Sequence, residues 1–156
     1  MSLVDLQTAR DHLRVDADYP DEQVVPYLYA AERLVTEFLN RRIYADDAAL
    51  SAAVAAVPAA VTAASIAYED ALEAAADIED RATYEAFEGH ATRTYERART
   101  LARETYDGIV MNDALTAAIL LTLSSLHENR GDDGGQEAMP RAAIALAYPF
   151  RVGLGV

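Results

Sequence analysis

The stretch Asp113-Ala-Leu-Thr-Ala-Ala-Ile-Leu-Leu-Thr-Leu-Ser-Ser-Leu-His-Glu-Asn-Arg130 decides the fold class. Leu115, Ile119, Leu123 and Leu126 recur at helical spacing, and Ala118 and Leu121 widen the stripe, which predicts a helix over about 113–130. Asn112 is placed to cap its first turn, and Gly131 stands at the C′ position where glycine commonly ends a helix. This is the most apolar helix in the chain and is expected at the centre of the fold.

Toward the N-terminus, Val24, Leu28, Ala31, Leu34 or Val35, and Phe38 form a second stripe over about Glu22–Arg42, with Glu32, Arg33 and Glu37 off it. Pro26 predicts a defect or a late start in its first turns, and Arg41 and Arg42 at its end suit the helix dipole. Asp5 is placed to cap a short helix carrying Leu6, Ala9 and Leu13, which the polar run 16–21 with Pro20 separates from the next.

Between Ala45 and Tyr106 the composition shifts to 21 of the 33 alanines and 12 of the 26 acidic residues, against 5 of the 13 arginines. Pro58 predicts the N1 position of a helix running to about Ile78, with Val61, Tyr68 and Leu72 on its apolar face. A second helix over about Asp80–Tyr106 places Tyr84, Phe87, Ala91, Tyr95, Ala98 and Ala102 three or four apart. One long helix would leave these tyrosines uncovered, so an antiparallel hairpin is expected. After the central helix comes a glycine-rich loop, then a short helix opened by Pro140 and an apolar end, Tyr148-Pro-Phe-Arg-Val-Gly-Leu-Gly-Val156. No strand-like alternation stands out. The expected fold is therefore all-α, a small bundle of about four to six helices with an extended C-terminal tail.

The chain has 156 residues, 52% of them hydrophobic, which is enough for one core, but alanine buries little area. A thin core that neighbours complete is the expectation. The net charge of −13, with arginine as the only cationic side chain besides histidine, argues against an electrostatic grip on DNA or an anionic membrane. Cysteine is absent, which excludes disulfides and thiolate chemistry. The N-terminus has no basic n-region and carries Asp5, unlike a secretory signal. The uncharged run Ala48–Tyr68 is long enough to query as a membrane span, but alanine dominates it and Ser51, Pro58, Thr62 and Ser65 interrupt it. A soluble intracellular chain is expected.

Catalytic chemistry is not legible. His127-Glu128 resembles the start of a zincin helix, but Gly131 stands where the second histidine is needed. Asp132-Asp133 lacks the alternating ligands of a calcium loop, and His12 and His90 read as solvated. There is no phosphate loop and no nucleophile elbow. No catalytic residue, metal or cofactor is expected. Tyr84, Tyr95 and Tyr106 read as hairpin packing more readily than as a binding stripe, and Arg14, Arg41, Arg42, Arg130 and Arg151 as interface anchors or solvated charges.

Two separated blocks carry a resemblance. Leu6-Gln-Thr-Ala-Arg-Asp-His-Leu-Arg-Val-Asp16, the acidic turn at Asp21-Glu-Gln-Val-Val25, and Ala30-Ala-Glu-Arg-Leu-Val-Thr-Glu-Phe-Leu39 with Arg41-Arg42 form the first. Ala117 to Glu128-Asn-Arg130, then Met139-Pro-Arg-Ala-Ala-Ile-Ala-Leu-Ala-Tyr-Pro-Phe-Arg151, form the second. In order, spacing and endings these resemble the head–tail connector (adaptor) family of tailed phages, with Arg10 where lysine is usual and Phe150 where tyrosine is commoner. The blocks cover about half the chain, and the segment 45–106 departs from the family as an insertion.

The resemblance implies a non-enzymatic virion protein. It would form a homo-oligomeric ring, dodecameric in the family's manner, in the neck beneath the portal protein. The ring would extend the DNA channel and bear a tail-side stopper or tail-completion protein, with assembly in the host cytoplasm and no membrane contact. Residues 1–138 would form the connector domain with the inserted pair, and 139–156 a docking segment in which Tyr148, Pro149, Phe150 and Arg151 meet the portal. Glu128 and Arg130 would make a polar contact within or between subunits, with Arg41 and Arg42 at the same interfaces. A negatively charged wall would let DNA pass without sticking. Three alternatives carry different functions: a cellular helical-bundle interaction or regulatory protein without catalysis, an enzyme on a helical scaffold, and a helix-turn-helix DNA binder.

Overall fold

Asn112 starts the central helix as its side chain predicts, its Oδ1 accepting the backbone N–H of Leu115 at 3.0 Å. The structure, a computed structural model, describes residues 2–16, 18–129 and 139–153. In chain order these form α1 (Leu6–Leu13), α2 (Val25–Leu39), β1 (Ile43–Tyr44), α3 (Asp47–Ala75), α4 (Arg81–Tyr106), β2 (Ile109–Val110), α5 (Asp113–Glu128) and α6 (Arg141–Ala147). Two compact units result, residues 1–47 with 108–156, and residues 48–107.

In the first unit α5 packs against α2 and α6, with α1 alongside. It buries Leu115, Ala118, Ile119, Thr122 and Leu123, and the Thr122 hydroxyl donates to the Ala118 carbonyl at 2.8 Å, so the buried polar atom is satisfied. Leu28, Ala31, Val35 and Leu39 of α2 and Ala143 and Ala147 of α6 complete the cluster. Each fully buried leucine or isoleucine contributes about 1.5–3 kcal/mol. Leu126 and Phe38, also on the sequence stripes, are partly buried against this cluster. The all-α bundle expected from helical spacing is the fold observed.

Several local features differ from the sequence reading. A 3₁₀ turn at Asp21–Gln23 precedes α2, and Pro26 sits in its first turn. The helix stops at Leu39, where Asn40 takes the left-handed conformation (φ 53°), so Arg41 and Arg42 lie beyond the helix rather than on its last turn. Asparagine tolerates that conformation better than most residues. Glu32, read as lying off the apolar stripe, is buried: its Oε1 accepts the Ser2 hydroxyl and the backbone N–H groups of Leu3 and Val4. Pro58 does not start a helix but lies inside α3, which begins eleven residues earlier at Asp47. The surrounding alanines have enough helix propensity to carry the missing N–H.

The two short strands were not legible as alternation, because two residues are too few to show it. They pair in parallel, Ile43 with Ile109 and Tyr44 with Val110, and Arg42 and Tyr44 carbonyls accept from Ile109 and Met111 at 2.9 and 2.8 Å. Parallel neighbours need a long crossover. Here residues 48–107 supply it.

The second unit is the helical hairpin. Tyr68 of α3 stacks on Tyr95 of α4, centroids 5.2 Å apart at 19°. Asp80 caps α4, accepting the Thr83 hydroxyl at 2.6 Å and its N–H at 2.8 Å. These bonds, the hydroxyl's first, hold the Asp80 carboxylate below the ordinary aspartate range. Within 48–107 the buried residues are Val57, Ala75, Ala91 and Thr105, so most of this unit's surface, apolar alanine included, faces outward.

Candidate subunit and partner interface

The C-terminus of α2 gathers the sequence's basic pair and the chain's ending. Arg41 Nη2 donates to the Gly108 carbonyl at 3.0 Å and Nη1 to the Phe150 carbonyl at 3.4 Å. The Arg151 guanidinium lies over the Phe38 ring, 4.9 Å from its centroid, in cation–π contact. The backbone N–H of Val152 donates to the Leu39 carbonyl at 3.0 Å, and Asn40 Nδ2 to the Val152 carbonyl at 3.3 Å. The first of these satisfies the Leu39 carbonyl, one of the C-terminal carbonyls of α2 that lack a helical donor. Arg41 Nε and Arg151 Nε are buried without a hydrogen-bond partner among the described residues.

Residues 139–153 of the expected docking segment pack on the bundle formed by α2 and α5. Ala143 and Ala147 bury themselves in the bundle, Tyr148–Phe150 forms a 3₁₀ turn, and the extended stretch from Arg151 is tied to α2. Met139, Leu146 and Phe150 of this segment are partly buried against the core cluster. Leu154–Val156 lie outside the described residues.

The eight positions singled out in sequence therefore divide. Arg41, Phe150 and Arg151 come together, while Arg42, Tyr148 and Pro149 are exposed. Glu128 is exposed at the far end of α5. There His127 meets Tyr27 of the first turns of α2, ring centroids 6.0 Å apart, whereas β2, which leads into α5, pairs beside the end of α2. Helices α2 and α5 thus run antiparallel, and Glu128 is remote from the arginine cluster. Arg130 lies outside the described residues, so its expected contact with Glu128 does too.

At the other end of the block, Arg10 binds the Asp21 carboxylate with Nη1 and the Asp16 carbonyl with Nη2 at 3.0 Å. Arg10 thereby clips α1 to the acidic turn before α2.

Comparison with family models, with curated proteins and with solved structures returns no match to this chain.

Two features were missed in sequence. One is the Glu32 clamp on residues 2–4, for which a carboxylate one position from the apolar stripe gave only a faint signal. The other is an open trough between α3 and α4, made of two cavities of about 240 and 300 Å³. Its signal was present as three-and-four spacing on α4, but apart from Val57, Val61 and Tyr68 the matching positions on α3 are alanines, which carry little periodic contrast. By length and composition α3 is also apolar enough to cross a membrane, and 6% of its most apolar window is buried.

Proposed function

We propose that this chain is a head–tail connector subunit of a tailed-phage virion, a non-catalytic protein that joins identical copies into a ring beneath the portal. The observation that carries the reading is the meeting of the two resembling blocks. Arg41, from the basic pair that ends the first block, holds the Phe150 carbonyl in the ending of the second. Both blocks pack around α5 as one helical body, and the segment that departs from the family forms a unit of its own.

The charge supports the same reading. A net −13 disfavours adhesion to DNA, as a conduit wall requires. The docking element is then not a loose arm but the exposed rim of this corner, Arg42, Tyr148 and Pro149, with Phe150 and Arg151 fixing its shape. Tyrosine and arginine are the side chains that anchor interfaces most often.

The test is assembly with the portal. Chain mixed with its portal is expected to give ring-shaped complexes by electron microscopy, and labelled chain to appear in the virion neck. A monomer or dimer that persists with portal present, with no chain in the neck, overturns the reading in favour of a cellular helical-bundle interaction protein.

A further inference from the structure

The hairpin of residues 48–107 is built on a seven-residue repeat. Val57, Ala64 and Ala71 on α3 and Ala91, Ala98 and Thr105 on α4 recur every seventh position between the helices, the spacing of a left-handed coiled coil. One flank of that seam stays open as the two cavities. Ala60 and Ala67 line it from α3, and Phe87, Thr94 and Leu101 from α4, with no carboxylate or arginine in either lining. Phe87 and Leu101 remain 39% and 41% exposed. A charge-free trough holding two large apolar side chains is a surface that soluble proteins normally cover.

Charge on the hairpin identifies the cover. Residues 69–88, around the tip, hold eight carboxylates and one arginine; residues 89–106 hold four arginines and two carboxylates; residues 48–68 hold no charge. A second hairpin lying parallel would set acidic tip on acidic tip. One lying antiparallel sets each acidic tip beside the other's arginines.

We propose that the trough is covered by a second copy of this chain, its hairpin antiparallel to the first, so that four helices form a bundle with a twofold axis beside Thr94. Phe87 and Leu101 are each seven residues from Thr94, so the axis brings Phe87 of one copy opposite Leu101 of the other. The Tyr68–Tyr95 stack fixes the level of α3 against α4. With that level, the acidic run Asp70 to Asp80 lies alongside the other copy's Arg97, which flanks Thr94 and Leu101 on the open side of the repeat. Such self-complementary pairing is the ordinary chemistry of helical bundles.

A lipid surface fits less well. The trough is shared with α4, whose ionised side chains would have to leave water, and alanine gains little from hydrocarbon. The inference does not rest on the connector reading, because it concerns the free chain and is read by a different experiment.

The full chain has no cysteine, which makes the test direct. Phe87→Cys and Leu101→Cys chains are oxidised separately and mixed. The expected result is a mixed cross-link between the two variants, with each alone giving little. Sedimentation of the unaltered chain should show a monomer–dimer equilibrium that high salt weakens. Arg97→Glu should raise its dissociation constant about tenfold while helicity by circular dichroism is retained, the residue being exposed. A Phe87→Cys self-cross-link instead of the mixed one, absence of any cross-link, or flotation of the chain with neutral phosphatidylcholine vesicles overturns the proposal.

Discussion

Glu32 and Val4 are joined by a buried hydrogen bond of 2.9 Å from the Val4 backbone N–H to the Glu32 carboxylate. The same oxygen accepts Leu3 N–H at 2.8 Å and the Ser2 hydroxyl at 2.6 Å. One acidic side chain in the middle of α2 thus holds the segment that leads into α1. Glu32→Ala should destabilise the chain by about 2–3 kcal/mol, because the N–H of Val4 is left buried without an acceptor. Glu32→Gln keeps an oxygen but loses charge assistance, so it should cost about 1 kcal/mol. Urea denaturation gives the magnitudes, and faster amide exchange at Val4 in the alanine variant gives the cause.

Acid should loosen the start of α4. The folded-state pKa of Asp80 lies below the unfolded one, so its capping contribution is full above the unfolded value and is lost as pH falls through the folded one. The Thr83 amide should therefore exchange faster, relative to the intrinsic rate, as pH drops below the ordinary aspartate range. In Asp80→Asn, which can cap without titrating, that extra pH dependence should vanish.

Pro58 deprives the Val54 carbonyl of its helical donor in the middle of α3. Replacing it with alanine restores the donor without adding bulk to an exposed position. Pro58→Ala should stabilise the hairpin by about 1–3 kcal/mol. Thermal unfolding followed by circular dichroism measures this, and slower exchange at the amides on either side of position 58 localises it.

The parallel pairing of Ile43 with Ile109 constrains deletion of the hairpin. A tight two-residue turn joins only antiparallel strands, so replacing 48–107 with such a turn should abolish the pair and shift the end of α2 away from the start of α5. A flexible linker of about a dozen residues should preserve both. The Ile109 and Met111 amides, which donate across this pair, report the outcome by hydrogen exchange.

Much of the bundle was legible because leucine and isoleucine contrast sharply with their neighbours. Leu115, Ile119 and Leu123 announced both the helix and its buried face, and Asn112 and Asp5 announced the starts of two helices. Contrast failed in the alanine-rich hairpin, where Pro58 was the strongest local signal and the helix propensity of the surrounding alanines overrode it. It failed again at Glu32, since a carboxylate is buried only when distant donors come to meet it. The candidate site was half legible: Arg41 and Phe150 were each visible as residues, but their meeting depends on Asn40 turning the chain through a left-handed step at the end of α2.

Helices α2 and α5, the two largest contributors to the core, are separated in the chain by a hairpin none of whose residues joins their cluster. Closing so long a loop is entropically slow, and rates fall as contacts become less local. The hairpin's contacts nearest its turn are the most local in this crossover, so contact order favours its forming before Ile43 pairs with Ile109. A segment that adds nothing to that cluster is therefore expected to act on how fast the body around α5 assembles, through the length of chain it closes.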